Sequence, residues 1–143
     1  VPFVVVGPKV RKNTVSHVPV TGLDILPTLA DLAGYKDELP EALDGGSIRK
    51  VMHHKGKGKV RRNNPYLIFH QSVDRKAQSA IREGNYKLVK TWRTQQLELF
   101  DLSKDIGEEN NLAEEMPEKV KDLDEKLTNF LSVVKAETKK TEK

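Results

Sequence analysis

The sequence predicts an α+β fold: a small antiparallel sheet of about four strands, packed by a long C-terminal helix and preceded by a strand and a helix of α/β type. Three observations carry this. β-Rich runs at 79–82 and 86–89 flank Glu83-Gly84-Asn85, a hairpin turn signal. Two more such runs, Tyr66-Leu67-Ile68-Phe69-His70 and Leu97-Glu98-Leu99-Phe100, lie on either side of that hairpin. Finally Val120, Leu123, Leu127, Phe130, Leu131 and Val134 recur at helical spacing behind Pro117, which suits the first position of a helix.

The elements before the sheet follow from equally local signals. Phe3-Val4-Val5-Val6 is a short β-branched and aromatic run stopped by Gly7-Pro8, and reads as a strand buried on both faces. It has no neighbour of its own kind, and no initiating methionine precedes it. Both facts lead us to expect a segment cut from a longer α/β protein, with the first strand poorly sheltered. His17-Val18-Pro19-Val20 is extended, because Pro19 pushes Val18 toward β. A helix is expected from about Asp24, since Pro27 fits only the first turn. Thr21 or Asp24 caps its start, Leu26, Leu29, Ala30 and Ala33 share one face, and Gly34 ends it. Residues 35–48 read as irregular, and 49–64 as a basic flexible loop containing the low-complexity Lys55-Gly56-Lys57-Gly58-Lys59. Residues 101–111 form an acid- and amide-rich loop, and the tail 139–143 is expected to be disordered.

Composition excludes several functions. The 143 residues amount to one domain or a domain plus part of another, with 36% hydrophobic and 32% charged residues and a net charge of +4. Without cysteine there is no disulfide, thiolate metal site or cysteine nucleophile. No apolar run approaches the ~18 residues of a membrane span, and the first residues lack the basic start of a signal peptide.

The conspicuous chemical feature is the run from Arg49 to Arg62, with seven basic residues, two histidines and no acid. Arg49, Lys50, Lys55, Lys57, Lys59, Arg61 and Arg62 are candidate contacts for a polyanion. The other reading is a solvated surface loop, and the lack of interleaved aromatics disfavours nucleic acid. His53 and His54 are adjacent and lack carboxylates at metal-ligand spacing, so no metal ligands are assigned. His70 closes an apolar strand, where it either lines a pocket or bonds to ordinary backbone. No serine sits in a nucleophile elbow, and no glycine pair follows a strand as in a phosphate loop. These residues assemble no catalytic site.

The order of segments resembles the type I sulfatases. The first strand and its Gly7-Pro8 stop are similar to the strand that follows their metal-binding part. Asp24-Ile25-Leu26-Pro27-Thr28-Leu29, ending in Leu32-Ala33-Gly34, resembles the helix that comes next, and Leu43-Asp44-Gly45-Gly46-Ser47 its following turn. Ala80-Ile81-Arg82-Glu83-Gly84-Asn85-Tyr86-Lys87-Leu88-Val89 looks like the family's hairpin. Glu98-Leu99-Phe100-Asp101-Leu102, continued to Asn111-Leu112, is similar to its acidic turn, with Ile106 in place of the usual proline. Five such motifs run in register over residues 1–131.

The resemblance implies that residues 1–48 complete a sulfatase catalytic domain and that 65–138 form its C-terminal subdomain. It implies a formylglycine nucleophile, made from Cys or Ser in a Cys/Ser-x-Pro-x-Arg motif, and a calcium ion. Neither the motif nor a ligand set is found in this sequence, so no catalytic residue is carried over and the chain is expected to be inactive alone. His70, and more weakly Lys87, Trp92 and Arg93, become candidates to line the substrate entrance. The implied partner is a sulfated small molecule or polysaccharide, and the implied location is periplasmic or secreted. Self-association of the isolated chain is expected, and a phosphotransferring relative of the sulfatases is the alternative enzyme.

Overall fold

A computed structural model of the chain describes residues 3–35, 37, 39–41, 43–72, 77–136 and 138. The expected disordered tail 139–143 lies outside them. The chain divides into two compact units, Val1–Pro65 and Tyr66–Lys143.

In the first unit a 3-10 turn, Gly22–Asp24, leads directly into helix α1, Ile25–Ala33. Asp24 Oδ2 accepts from the Thr21 N–H at 2.8 Å. The helix ends at Gly34, whose φ of 74° is left-handed and favours glycine. There Gly34 N–H donates to Asp31 O and Tyr35 N–H to Ala30 O, closing the last turn.

The buried side of α1 is not the expected one. Pro27 and Thr28 are buried, while Leu26 and Leu29 stay more than half exposed. The cause is polar. Gly46 N–H donates to Asp24 Oδ1 at 2.9 Å, Ile48 N–H to Thr28 Oγ1 at 3.0 Å, and Ser47 Oγ to Asp31 Oδ2 at 2.6 Å. Three side chains of the helix segment thereby strap residues 46–48 along its length. A side chain at Gly45 or Gly46 would collide with the backbone of Leu23 or Arg61.

Two other expectations need correction. Residues 3–6 form no strand, and Phe3, Val4 and Val6 are exposed. A strand needs a second backbone to satisfy its N–H and C=O groups, and no described strand pairs with this one. The basic run is not loop throughout, because helix α2 occupies Arg49–His53 and buries Val51. Beyond it Gly56 N–H donates to Val51 O, and Ser16 Oγ donates to Gly56 O at 2.7 Å.

The second unit is a four-stranded antiparallel sheet in the order β1-β2-β3-β4: Leu67–Gln71, Gln78–Glu83, Tyr86–Thr91 and Gln96–Asp101. β2 and β3 pair from Glu83 and Tyr86 outward, so the turn is the two residues Gly84-Asn85, with Gly84 at φ 60°. Helix α3, Pro117–Val133, begins with proline in its first turn. Its Leu123, Leu127 and Leu131 pack on the cross-strand residues Ile81, Leu88 and Leu99, with Tyr66, Val120 and Phe130 at the margin. Val134 lies past the helix end and is half exposed. Glu83 at the end of β2 receives Lys119 and Lys126 from α3, each at 2.8 Å.

Candidate functional site

Side chains two residues apart on a strand share a face. The row Ile68–Ile81–Leu88–Leu99 lies under α3, so the next row, His70–Ser79–Lys90–Leu97, is on the same face. At that end of the sheet the apolar core gives way to polar groups. Ser79 is 2% exposed. Its Oγ stands 2.8 Å from His70 Nδ1 and accepts from Trp92 Nε1 at 2.7 Å. Trp92 follows β3, anchored by its backbone N–H to Ala77 O. Lys90 Nζ is 4.8 Å from the centroid of the Trp92 ring and donates to Asp124 of α3 at 2.7 Å. His70 itself lies at the exposed end of β1.

The structure thus joins two of the four proposed entrance residues, His70 and Trp92, through a serine. It separates the other two. Lys87 is in the row with Arg82 and Phe100, on the opposite face, and is held by the Glu108 carboxylate at 2.5 and 2.7 Å. Arg93 is exposed in the turn after β3, outside the Ser79 hydrogen bonds. Ser79, Lys90 and Asp124 are the residues that sequence reasoning missed. Counting outward from Gly84-Asn85 places Lys90 opposite Ser79. Nothing local announces the β1 register that adds His70.

The seven basic candidates also divide. Arg62 turns inward, its Nε and Nη2 at 2.9 and 2.6 Å from the two oxygens of Asp24, which is 1% exposed. Burial alone would raise the Asp24 pKa. The hydrogen bonds from Arg62, Gly46 and Thr21, with the Arg62 charge, more than reverse this and hold it below the ordinary range. Arg49 pairs with Asp31 at 2.7 Å, and the Ser47 hydroxyl and Arg49 together lower the Asp31 pKa. Arg49 and Arg62 thus each hold an aspartate of the first unit. Lys50, Lys55, Lys57, Lys59 and Arg61 are exposed.

The acidic turn after β4 is built on its own side chains. Asp105 accepts from the N–H groups of Glu109 and Asn110 at 2.9 and 2.8 Å, and Asn111 Oδ1 accepts from Leu99 N–H. Among the described residues no group of three His, Asp or Glu side chains is gathered closely enough to hold a metal ion. Nor is any described helix long and apolar enough to cross a membrane.

A family model described as N-sulphoglucosamine sulphohydrolase, C-terminal, matches residues 1–137. Mouse arylsulfatase K is 30% identical over 142 residues, covering 94% of this chain and 25% of its own length. A Delta 4,5-hexuronate-2-O-sulfatase of Bacteroides thetaiotaomicron is 33% identical over 122 residues, covering 80% of this chain and 24% of its own. The solved structure of a 2-O GAG sulfatase superposes with a TM-score of 0.68 at 27% identity, over 91% of this chain and 29% of that one. The chain thus spans about a quarter of the length of these relatives.

Proposed function

The chain belongs to the type I sulfatase family, as its C-terminal domain, and on that premise we propose that it serves a sulfate-ester hydrolase whose substrate is a sulfated saccharide. Hydrolysis of such an ester needs a nucleophile, a cation to stabilise charge on the transferring group, and a proton donor for the leaving oxygen. In this reading the formylglycine and the calcium ion belong to a catalytic segment outside these 143 residues. The resident residues bind and orient. His70 is the ligand-facing group, with Trp92 beside it, and Lys90 adds positive charge behind the indole. The hydrolase would work in the periplasm or outside the cell.

The observation that supports this most is the pairing of an exposed histidine with a buried serine and indole at one end of the sheet. The saccharide class is supported by the relatives named for a hexuronate and for a GAG. The purified chain, given calcium and an aryl sulfate, is expected to show no turnover above the blank. Carried behind a sulfatase catalytic segment, as in its relatives, it should support turnover of a sulfated saccharide. His70→Ala should then lower kcat/KM by ~10- to 100-fold, the loss of one hydrogen bond to a charged group. Turnover by the chain alone, or an unchanged kcat/KM in His70→Ala, would overturn the assignment.

A second reading rests on the five outward basic residues, which offer a surface to a long sulfated polymer. Heparin retention that falls steeply with salt, and falls again in a Lys55→Ala, Lys57→Ala, Lys59→Ala variant, is its expected signature.

A further inference from the structure

We infer that the segment at residues 9–12 and the loop at 55–59 form one continuous surface for a linear sulfated polymer, with Lys9, Arg11 and Lys12 as contacts beyond those of the basic run. This rests on the second reading above, which holds only the basic run.

The two segments are distant in sequence and adjoining in the fold. Ser16 and Gly56 are 40 residues apart, yet Ser16 Oγ donates to Gly56 O at 2.7 Å. The same hydroxyl accepts from Val18 N–H at 3.2 Å, so it is held from both sides. Gly56 N–H in turn donates to Val51 O, which ties the contact to α2. The backbones approach closely enough that a Cβ at Gly56 would lie 3.0 Å from both Val15 O and Ser16 Cβ. Val10 and Val15 from the first segment line one cavity with Val51 and Met52 of α2, so the two flank a common space.

Positive charge runs along both. Lys9, Arg11 and Lys12 are exposed, as are Lys55, Lys57 and Lys59. No acid stands between Val1 and Leu23, nor between Gly45 and Arg62. Asp24 and Asp31, the acids of α1 and of the turn before it, are already taken by Arg62 and Arg49. Cations gathered on adjoining loops repel one another, and a polyanion laid across them relieves that repulsion. Lys9 and Lys55, one in each segment, hold left-handed backbones with φ 64° and 57°. Glycine would take that conformation at less cost, so what lysine adds at either position is its charge. No aromatic residue lies within 9–12 or 55–61, which leaves a base nothing to stack on and favours a sulfated saccharide over a nucleic acid.

The test is calorimetric binding of heparin to the 143-residue chain over a range of salt, with single-stranded DNA as the competing class. The slope of log affinity against log salt counts the cations engaged. Lys9→Ala with Arg11→Ala and Lys12→Ala should lower that slope by roughly two to three, as should Lys55→Ala with Lys57→Ala and Lys59→Ala. A short heparin oligosaccharide should bind once per chain. Lys9→Gly with Lys55→Gly should weaken heparin binding several-fold while leaving Tm unchanged or higher, because the turns are eased as the charges go. An unchanged slope in the 9–12 variant, beside a reduced one in the 55–59 variant, overturns the inference and leaves the second reading standing. Two oligosaccharides per chain, or unchanged heparin affinity in the paired glycine variant, overturn it equally. No heparin binding by the unaltered chain removes both, and tighter binding of the DNA than of heparin overturns the sulfated class.

Discussion

A carboxylate as enclosed as that of Asp24 is unfavourable unless its oxygens are met. Arg62, Gly46 and Thr21 supply the donors. Asp24→Ala would leave the mostly buried Arg62 guanidinium without its counter-ion, and breaking such a pair costs about 3–5 kcal/mol. Urea unfolding followed by circular dichroism should show a loss of that size. Replacing the pair together, as Asp24→Leu with Arg62→Met, should cost less than the sum of the single changes, because the orphaned charge goes too. Glu83 gives a pH signature. Hydrogen bonds from Lys119 and then Lys126 hold its pKa below the ordinary 4.5. Its contribution is therefore complete above that value and lost as pH falls through the lower folded one. Both lysine pKa values are raised, so their share persists below their ordinary 10.5 and is lost only in strong alkali. The Tm of Glu83→Gln should lie below that of the unaltered chain at pH 7, and the gap should close as the solution is taken below about pH 4.

At the scale of elements, α3 and the β2–β3 hairpin were legible in the sequence because their signals are local. A two-residue turn sets the hairpin register, and a three-to-four residue period sets the helix face. Leu127, at the centre of that face and fully buried, should cost ~2–5 kcal/mol when cut to alanine, measured by thermal or urea unfolding. α1 was placed correctly but its buried side was misread. Hydropathy put Leu26 and Leu29 inward, whereas the partners that orient the helix are backbone N–H groups 20 and 22 residues further on. The strap also gives a physical meaning to the glycines of Leu43-Asp44-Gly45-Gly46-Ser47. Gly46→Ala puts a methyl 2.0 Å from the Arg61 carbonyl oxygen and should destabilise the chain more than Gly84→Ala, which meets open space and suffers only its left-handed φ. Paired thermal melts of the two variants decide this. Likewise Ile106, 81% exposed, packs on little, and the turn it occupies is held by the Asp105 carboxylate instead.

For the whole molecule, the uncovered apolar side of α1 decides its behaviour in solution. Leu26, Leu29 and Leu32 of the helix, with Leu23 in the turn before it, are each about half exposed, and apolar side chains gathered on one exposed element favour association. Sedimentation velocity should show concentration-dependent association of the isolated chain, relieved by Leu26→Asp with Leu29→Asp. The candidate site was legible only in part for a related reason. His70 and Trp92 drew notice as residue types, but they meet through Ser79, and that meeting depends on a β1–β2 register that no turn signal near His70 announces.

The strap on α1 also bears on what can be built into this chain. In sequence, the stretch from Tyr35 to Gly45 joins the end of the helix to a base sewn shut by the bonds of Gly46, Ser47 and Ile48. Because the base closes independently of what it encloses, the excursion is a natural port for inserted sequence. Doubling its length should cost only about 0.6 kcal/mol in closure entropy. A peptide tag or a foreign recognition loop grafted there should leave the melting temperature nearly unmoved, while the same insert placed between Gly45 and Ile48 should unravel the helix it was meant to decorate.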